Sequence, residues 1–167
     1  MKLEDIDKER YNKHVKISFF AVCIFMITVS LAISTVLIQL WGGPQGENMW
    51  LNMAGVVIAA LILAQIYKRL KSHPFLYEVV YVRTLKAELN RIYRKQRKIK
   101  AAADEGDATA IAILDFNYRA ARHVYELDNN TITLDDLEKA HQEIKNLQVR
   151  WNIDQLEEYQ SEWVDAY

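Results

Sequence analysis

The run ISFFAVCIFMITVSLAISTVLIQL, residues 17–40, decides how the rest of the chain is read. Its 24 residues carry no charge, and fourteen of them are Leu, Ile, Phe or Val. At about 1.5 Å per helical residue it reaches about 36 Å, enough to cross a hydrocarbon core about 30 Å thick with some tilt. Those fourteen side chains favour insertion by about 0.3–0.6 kcal/mol each, and Ser, Thr and Gln39 reduce the gain without cancelling it. A secretory signal would hold a shorter apolar region of about 7–15 residues ahead of an A-x-A-like cleavage site, and the run fits neither.

A second run, MWLNMAGVVIAALILAQIY at residues 49–67, sets eight such residues against Asn52, Gly55 and Gln65. Marginal alone, it is expected to insert as the return arm of a hairpin. The connection, residues 41–48, is rich in turn residues and too short to hold a site. Lys8, Arg10, Lys13 and Lys16 precede the first run and Lys68, Arg69 and Lys71 follow the second, while the connection has no Lys or Arg. That asymmetry predicts a cytoplasmic segment 1–16, spans at 17–40 and 49–67, a periplasmic turn at 41–48 and a cytoplasmic helical domain at 68–167. Trp41 and Trp50 on the far side, with Tyr67 on the near side, are the expected interface anchors.

Glu47, in the connection, is the only Asp, Glu, Lys, Arg or His between Ile17 and Tyr67. Pumps and charge-coupled transporters place such groups inside the membrane, so neither is expected. The spans do carry small residues at helical spacing. Ala21, Thr28, Ala32, Thr35 and Gln39 form one stripe, and Gly55 with Ala59 makes a small-xxx-small pair continued by Ala60 and Ala64. Such faces let backbones approach closely; the first expectation is packing of the two spans on each other, the second contact with another copy or a partner helix.

Beyond Lys71 a helical period takes over, after Ser72-His73-Pro74 as punctuation. Val82, Leu85, Leu89, Ile92, Gln96 and Ile99 step by three and four, predicting a helix to about Ala103. Asp104-Glu105-Gly106-Asp107 breaks it, and Asp107 can cap a second helix carrying Ile111, Leu114, Tyr118, Ala121 and Tyr125. A third start has Thr133 as N-cap, Asp136 at the third helical position, and Ile132 against Leu137 as a hydrophobic staple. Ala140, Ile144, Leu147 and Trp151 carry that helix to about Gln160. The expected fold is all-α: a two-helix transmembrane hairpin followed by a cytoplasmic antiparallel three-helix bundle.

The chain has 167 residues, with 21 Lys and Arg against 22 Asp and Glu. This near balance hides a division. Residues 68–100 hold 11 basic and 2 acidic side chains, whereas residues 101–167 hold 5 basic and 15 acidic. The simplest account packs a basic first helix beside acidic second and third helices, where exposed pairs add only about 0–1 kcal/mol each. The densest cluster is Arg94, Lys95, Arg97, Lys98 and Lys100. Lipid lies about 39 Å away along a straight helix from Pro74 to Lys100, against a Debye length of about 8 Å. An acidic protein surface is therefore the expected partner, and nucleic acid is not expected, since no recognition motif accompanies the cluster.

Chemistry-bearing motifs are sparse. The one cysteine, Cys23, excludes an internal disulfide or Cys-based zinc site. Glu138 and His141 share a helix face as in di-iron bundles, but His123 and Glu126 stand in the reverse order and no second copy exists. Asp128-x-Asn130 opens like a calcium loop, yet the sixth position is Thr133 and the twelfth Lys139. Asn129-Asn130-Thr131 matches a glycosylation sequon on the cytoplasmic side, where it would stay unmodified. There is no nucleophile elbow, P-loop or dinucleotide fingerprint, so no cofactor is expected.

Gly42, Pro44, Gly46 and Asn48 in the turn, Asn52 with Gly55-Val56, Leu85-Lys86 with Leu89 and Ile92, Gly106-Asp107, and Leu127-Asp128-x-Asn130 together carry a resemblance. From the first span to about Asn130, the chain resembles a family of small gammaproteobacterial membrane proteins that bears only a domain-of-unknown-function label, family 3087. The resemblance implies a bacterial inner-membrane setting and supplies no catalytic residues. The expected function is that of a non-enzymatic anchored interaction or scaffold protein, bound to the bilayer and to itself or another protein. Trp151, Tyr159 and Trp163 are expected contact residues. The competing expectation is a passive oligomeric pore or carrier lined by Thr28, Ser34, Thr35 and Gln39.

Overall fold

The computed structural model describes residues 1–43, 48–130 and 134–167. Among these residues the chain is all-helical and has no strand. The helices are α1 (Lys8–Trp41), α2 (Met49–Leu70), α3 (Tyr77–Asp104), α4 (Ala108–Leu127) and α5 (Leu134–Arg150), with short 3-10 helices at Pro74–Leu76 and Ser161–Ala166. Two compact units form: Glu9–Val80, and Met1–Lys8 together with Tyr81–Tyr167. Lys8–Lys16 continues α1, while most of Met1–Lys8 is non-helical and belongs with the C-terminal half.

In the unit Glu9–Val80, α1 has 34 residues and α2 has 22, both long and apolar enough to cross a membrane. Only 6% and 11% of their most apolar windows are buried, which separates them from core helices that hide their apolar side chains. Phe19, Phe20, Ile24, Ile27, Leu31 and Leu61 are among the large apolar side chains left exposed. Gly55 and Ala59 of α2 are buried, as is Ser34 of α1. A Cβ placed on Gly55 would collide with Ser34 Oγ and stand 3.0 Å from the Ser34 amide nitrogen and 3.1 Å from the Ser30 carbonyl oxygen. Only glycine permits that approach, and Ser34 Oγ uses it to reach the Asn52 carbonyl oxygen at 3.4 Å.

This contact sets the rotation of α1 and leaves the small-residue stripe off the seam with α2. Ala21, Thr28, Ala32, Thr35 and Gln39 are all exposed, turned away from the seam that holds Ser34. Thr28 and Thr35 satisfy their hydroxyls within α1, donating to the carbonyl oxygens of Ile24 and Leu31 at 2.8 Å each. After α2, His73 is extended as a residue before proline should be, and its ring nitrogen accepts the Phe75 amide at 3.1 Å. Pro74 then opens the 3-10 turn leading into α3.

The other unit is built around α4. Eleven of its 20 residues are buried, Ile111, Ile113, Leu114 and Phe116 among them. Water is left a narrow strip that includes Arg119, Arg122 and Glu126. Asp107 caps the helix as expected, accepting the amides of Thr109 at 2.8 Å and Ala110 at 3.1 Å. From α3, Val82, Leu85, Ile92, Ile99 and Ala103 are buried, which is the predicted stripe with Leu89 and Gln96 at its half-buried margin. From α5 only Ile144 is fully buried, flanked by Leu137, Ala140 and Leu147. The pairs Lys86–Asp128, Arg122–Glu138 and Asp115–His141 tie the start of α3 to the end of α4, and α4 to α5 in opposite direction.

All three helices stop in the same way. Gly106, Asn129 and Asn152 have φ of +94°, +57° and +54°. The amides that follow them, Asp107, Asn130 and Ile153, return to the carbonyls of Ala102, Tyr125 and Gln148. The last of these motifs ends α5 at Arg150, ten residues before the expected Gln160. Asn152 enters the left-handed region, and Trp151 packs on Gly106, where an added Cβ would lie 2.7 Å from the indole. The predicted cap at Thr133 and staple at Ile132 lie outside the described residues.

Replacing Gly55 by leucine is expected to push α1 and α2 apart and destabilise the hairpin by about 1–3 kcal/mol. Adding Ser34→Ala to Gly55→Ala should restore part of the loss caused by Gly55→Ala alone, because one of the colliding groups is removed. Unfolding of the three variants in mixed micelles measures both effects.

Candidate functional site

Residues 68–100 contain two acids, Glu78 and Glu88, and both are taken out of water by neighbours. Each organises a polar cluster, one in each unit.

Glu88, Arg91 and Lys95 lie at helical spacing along one side of α3. The Glu88 carboxylate accepts hydrogen bonds from the Tyr159 hydroxyl and, at 2.6 Å, from Ser161 Oγ. Arg91 donates to Ser161 Oγ at 2.7 Å and pairs with Asp165 at 2.6 Å, while Lys95 Nζ donates to the Val164 carbonyl oxygen at 2.9 Å. The Tyr159 ring stacks on Phe116 with centroids 4.0 Å apart and planes 8° from parallel, and Trp163 meets that ring edge-on at 6.3 Å. The Tyr167 hydroxyl donates to Asp107 Oδ2 at 2.8 Å, so one carboxylate caps α4 and holds the tail. The Met1 ammonium donates to the Tyr159 carbonyl oxygen, and the Glu4 amide donates to the Tyr81 hydroxyl at 2.8 Å.

The electrostatics follow the contacts. Burial, reinforced by the Glu88 carboxylate, pushes the Tyr159 hydroxyl well above the usual phenol value. Burial and Asp107 do the same to Tyr167. The Arg91 hydrogen bond holds Asp165 below the ordinary aspartate range. All of these favour the protonation states that keep the tail seated at neutral pH.

The expected contact residues are thus divided. Tyr159 is buried and Trp163 half-buried, which corrects the expectation that they face a partner; Trp151 remains exposed, with the Arg150 guanidinium 5.5 Å from its ring. Lys95 of the basic cluster is occupied by the tail, whereas Arg94, Arg97, Lys98 and Lys100 stay exposed. Trp41 and Trp50 are exposed and Tyr67 is half-buried.

Between α4 and α5, His141 Nε2 lies 2.8 Å from Asp115 Oδ1, and Asp115 also pairs with Arg119 at 2.7 Å. Arg122 bridges Glu126 and Glu138, both at 2.9 Å. Glu138 and His141, neighbours in sequence spacing, therefore serve different partners. They border an open cleft of about 390 Å³ with Tyr118, Leu134 and Leu137. No group of three or more His, Cys, Asp or Glu able to hold a metal ion occurs among the described residues.

In the unit Glu9–Val80, Glu78 is buried against Arg10 Nε at 2.8 Å and His14 Nδ1 at 3.0 Å, and the His14 ring rests on Phe75 with centroids 4.2 Å apart. Burial raises the Glu78 carboxyl, but its backbone hydrogen bond, His14 and Arg10 outweigh that, and it titrates below the usual glutamate value. Neither cluster was foreseen from spacing. The available signal was the pair of lone acids in an otherwise basic stretch.

Two outcomes follow. Tyr159→Phe removes a donor to a charged acceptor and should cost about 1–3 kcal/mol, with Trp163 emission shifting red as the tail loosens; thermal unfolding and fluorescence measure it. The folded-state value of Glu78 lies below its unfolded value, so its contribution is present above about pH 4.3 and is lost as pH falls through the folded value. Glu78→Gln should flatten that acid limb, read as stability against pH from 6 to 3.

No curated protein and no solved structure matches the chain. The pattern of one family, described as "Protein of unknown function (DUF3087)", matches residues 1–164 and so runs past Asn130 through the tail held by Glu88 and Arg91. The chain belongs to that family.

Proposed function

We propose that this protein is a non-enzymatic, membrane-anchored interaction protein of the bacterial inner membrane: a two-span hairpin with both termini in the cytoplasm, carrying an antiparallel three-helix bundle that self-associates or docks on a larger complex. The observation that carries the reading is the exposure of two long apolar helices, with only 6% and 11% of their most apolar windows buried and Ser34, Gly55 and Ala59 as the buried residues of those windows. Water would penalise that surface and lipid would not. Lys and Arg flank both outer ends and are absent from the connection, which supports the orientation. The outward stripe Ala21, Thr28, Ala32, Thr35 and Gln39 supports contact between copies, since its small side chains and internally bonded hydroxyls suit close helix approach. The pore reading is weaker. Ser34 is spent on Gly55 and Asn52, and Thr28 and Thr35 on their own helix, so among the described residues Gln39 is the one of the four expected lining side chains not already engaged.

A green fluorescent protein fused after Tyr167 should fluoresce, and alkaline phosphatase fused there should be inactive; the opposite pair of results overturns the orientation. In a Cys23→Ser background, Ala32→Cys should form disulfide-linked dimers in native membranes, whereas Ser34→Cys, buried in the hairpin, should not.

A further inference from the structure

Four basic side chains on α3 have no ion pair among the described residues: Arg94, Arg97, Lys98 and Lys100. At 100° per residue they cover an arc of about 160° facing away from the Leu85, Ile92 and Ile99 stripe, and Tyr93, 72% exposed, stands among them. The same unit carries a matching surplus of acid. Asp154, Glu157, Glu158 and Glu162 are exposed and likewise unpaired, and residues 154–167 contain no Lys or Arg. The tail already binds basic side chains of α3, through Asp165 on Arg91 and Lys95. That internal contact uses one acid and leaves the other four facing solvent, without a pair to the exposed ridge of their own chain.

We propose that the occupant of the α3 ridge is a second copy of this chain: Arg94, Arg97, Lys98 and Lys100 of one copy receive Asp154, Glu157, Glu158 and Glu162 of the other, and the exchange is reciprocal. A two-fold pairing of this kind makes each contact twice and closes, so it yields a dimer and not an open array. Equal and opposite surpluses on one unit are what such a pairing uses, and Tyr93 supplies an apolar anchor within the charged patch. The inference rests on the self-association reading above and assigns it a surface outside the spans.

The test uses the full chain in a non-ionic detergent, with mass measured by light scattering. The dimer should weaken at least tenfold between 0.1 M and 1 M salt, as the Debye length shrinks from about 10 Å to about 3 Å. Arg94→Glu with Arg97→Glu and Lys98→Glu should weaken it to a similar extent, as should Asp154→Lys with Glu157→Lys and Glu158→Lys. Mixing the two reversed proteins should restore a mixed dimer, because both contacts are then complementary again, and that recovery shows both variants to be folded. A dimer indifferent to salt and to both reversals overturns the proposal and leaves self-association through the spans standing; a monomer under every condition overturns both. If the ridge-reversed protein stays dimeric but loses bound anionic phospholipid in native mass spectra, the ridge is a lipid site and the proposal fails.

Discussion

Helix α4 offers water too little polar surface to stand alone, and the rest of its unit is arranged to cover it. Eleven buried residues run around most of its circumference. One side is met by the α3 stripe and another by Ile144 and its neighbours on α5. The tail and the N-terminal segment contribute Tyr159, Val164, Met1 and Leu3 to the same core. Apolar burial supplies the driving force, at about 25 cal/mol per Å². The charged pairs around it, Lys86–Asp128 and Arg122–Glu138 among them, select direction and register more than they add stability.

The polar clusters solve a different problem. The tail has no long amphipathic helix to set its register, so beside the apolar contacts of Tyr159 and Val164 its place depends on specific polar partners: a carboxylate for Tyr159 and Ser161, a guanidinium for Asp165, an ammonium for the Val164 carbonyl. Glu88 is held by three donors and would be costly to bury without them. The charge division between residues 68–100 and 101–167 is partly spent in this way inside one chain, and partly left at the surface.

Periodicity made α3 and α4 legible. Leu85, Ile92 and Ile99, and Ile111, Leu114 and Tyr118, could be placed on buried faces because a helix of fixed pitch relates them locally. The Asp107 cap was legible for the same reason, its partners lying two and three residues away. What spacing alone did not reach was decided at long range. The rotation of α1 follows from Gly55 meeting Ser34, 21 positions apart, and the small-residue stripe gave no means of choosing between the two faces of the helix. The end of α5 was misplaced because Trp151 fits the heptad, while Asn152, a good left-handed residue, carried the stop signal. Tyr159 and Trp163 read as surface aromatics because nothing local announces Phe116 as their neighbour.

The Met1–Tyr159 hydrogen bond joins residues 158 positions apart. A ribosome delivers the first of them long before the second, with both long apolar helices emerging in between. Until Tyr159 arrives, the Phe116 face lacks its stacking ring, and the segment before α1 has no carbonyl to receive its ammonium. Closure of that unit therefore waits until the tail has been made, since Tyr159 and Val164 complete its core.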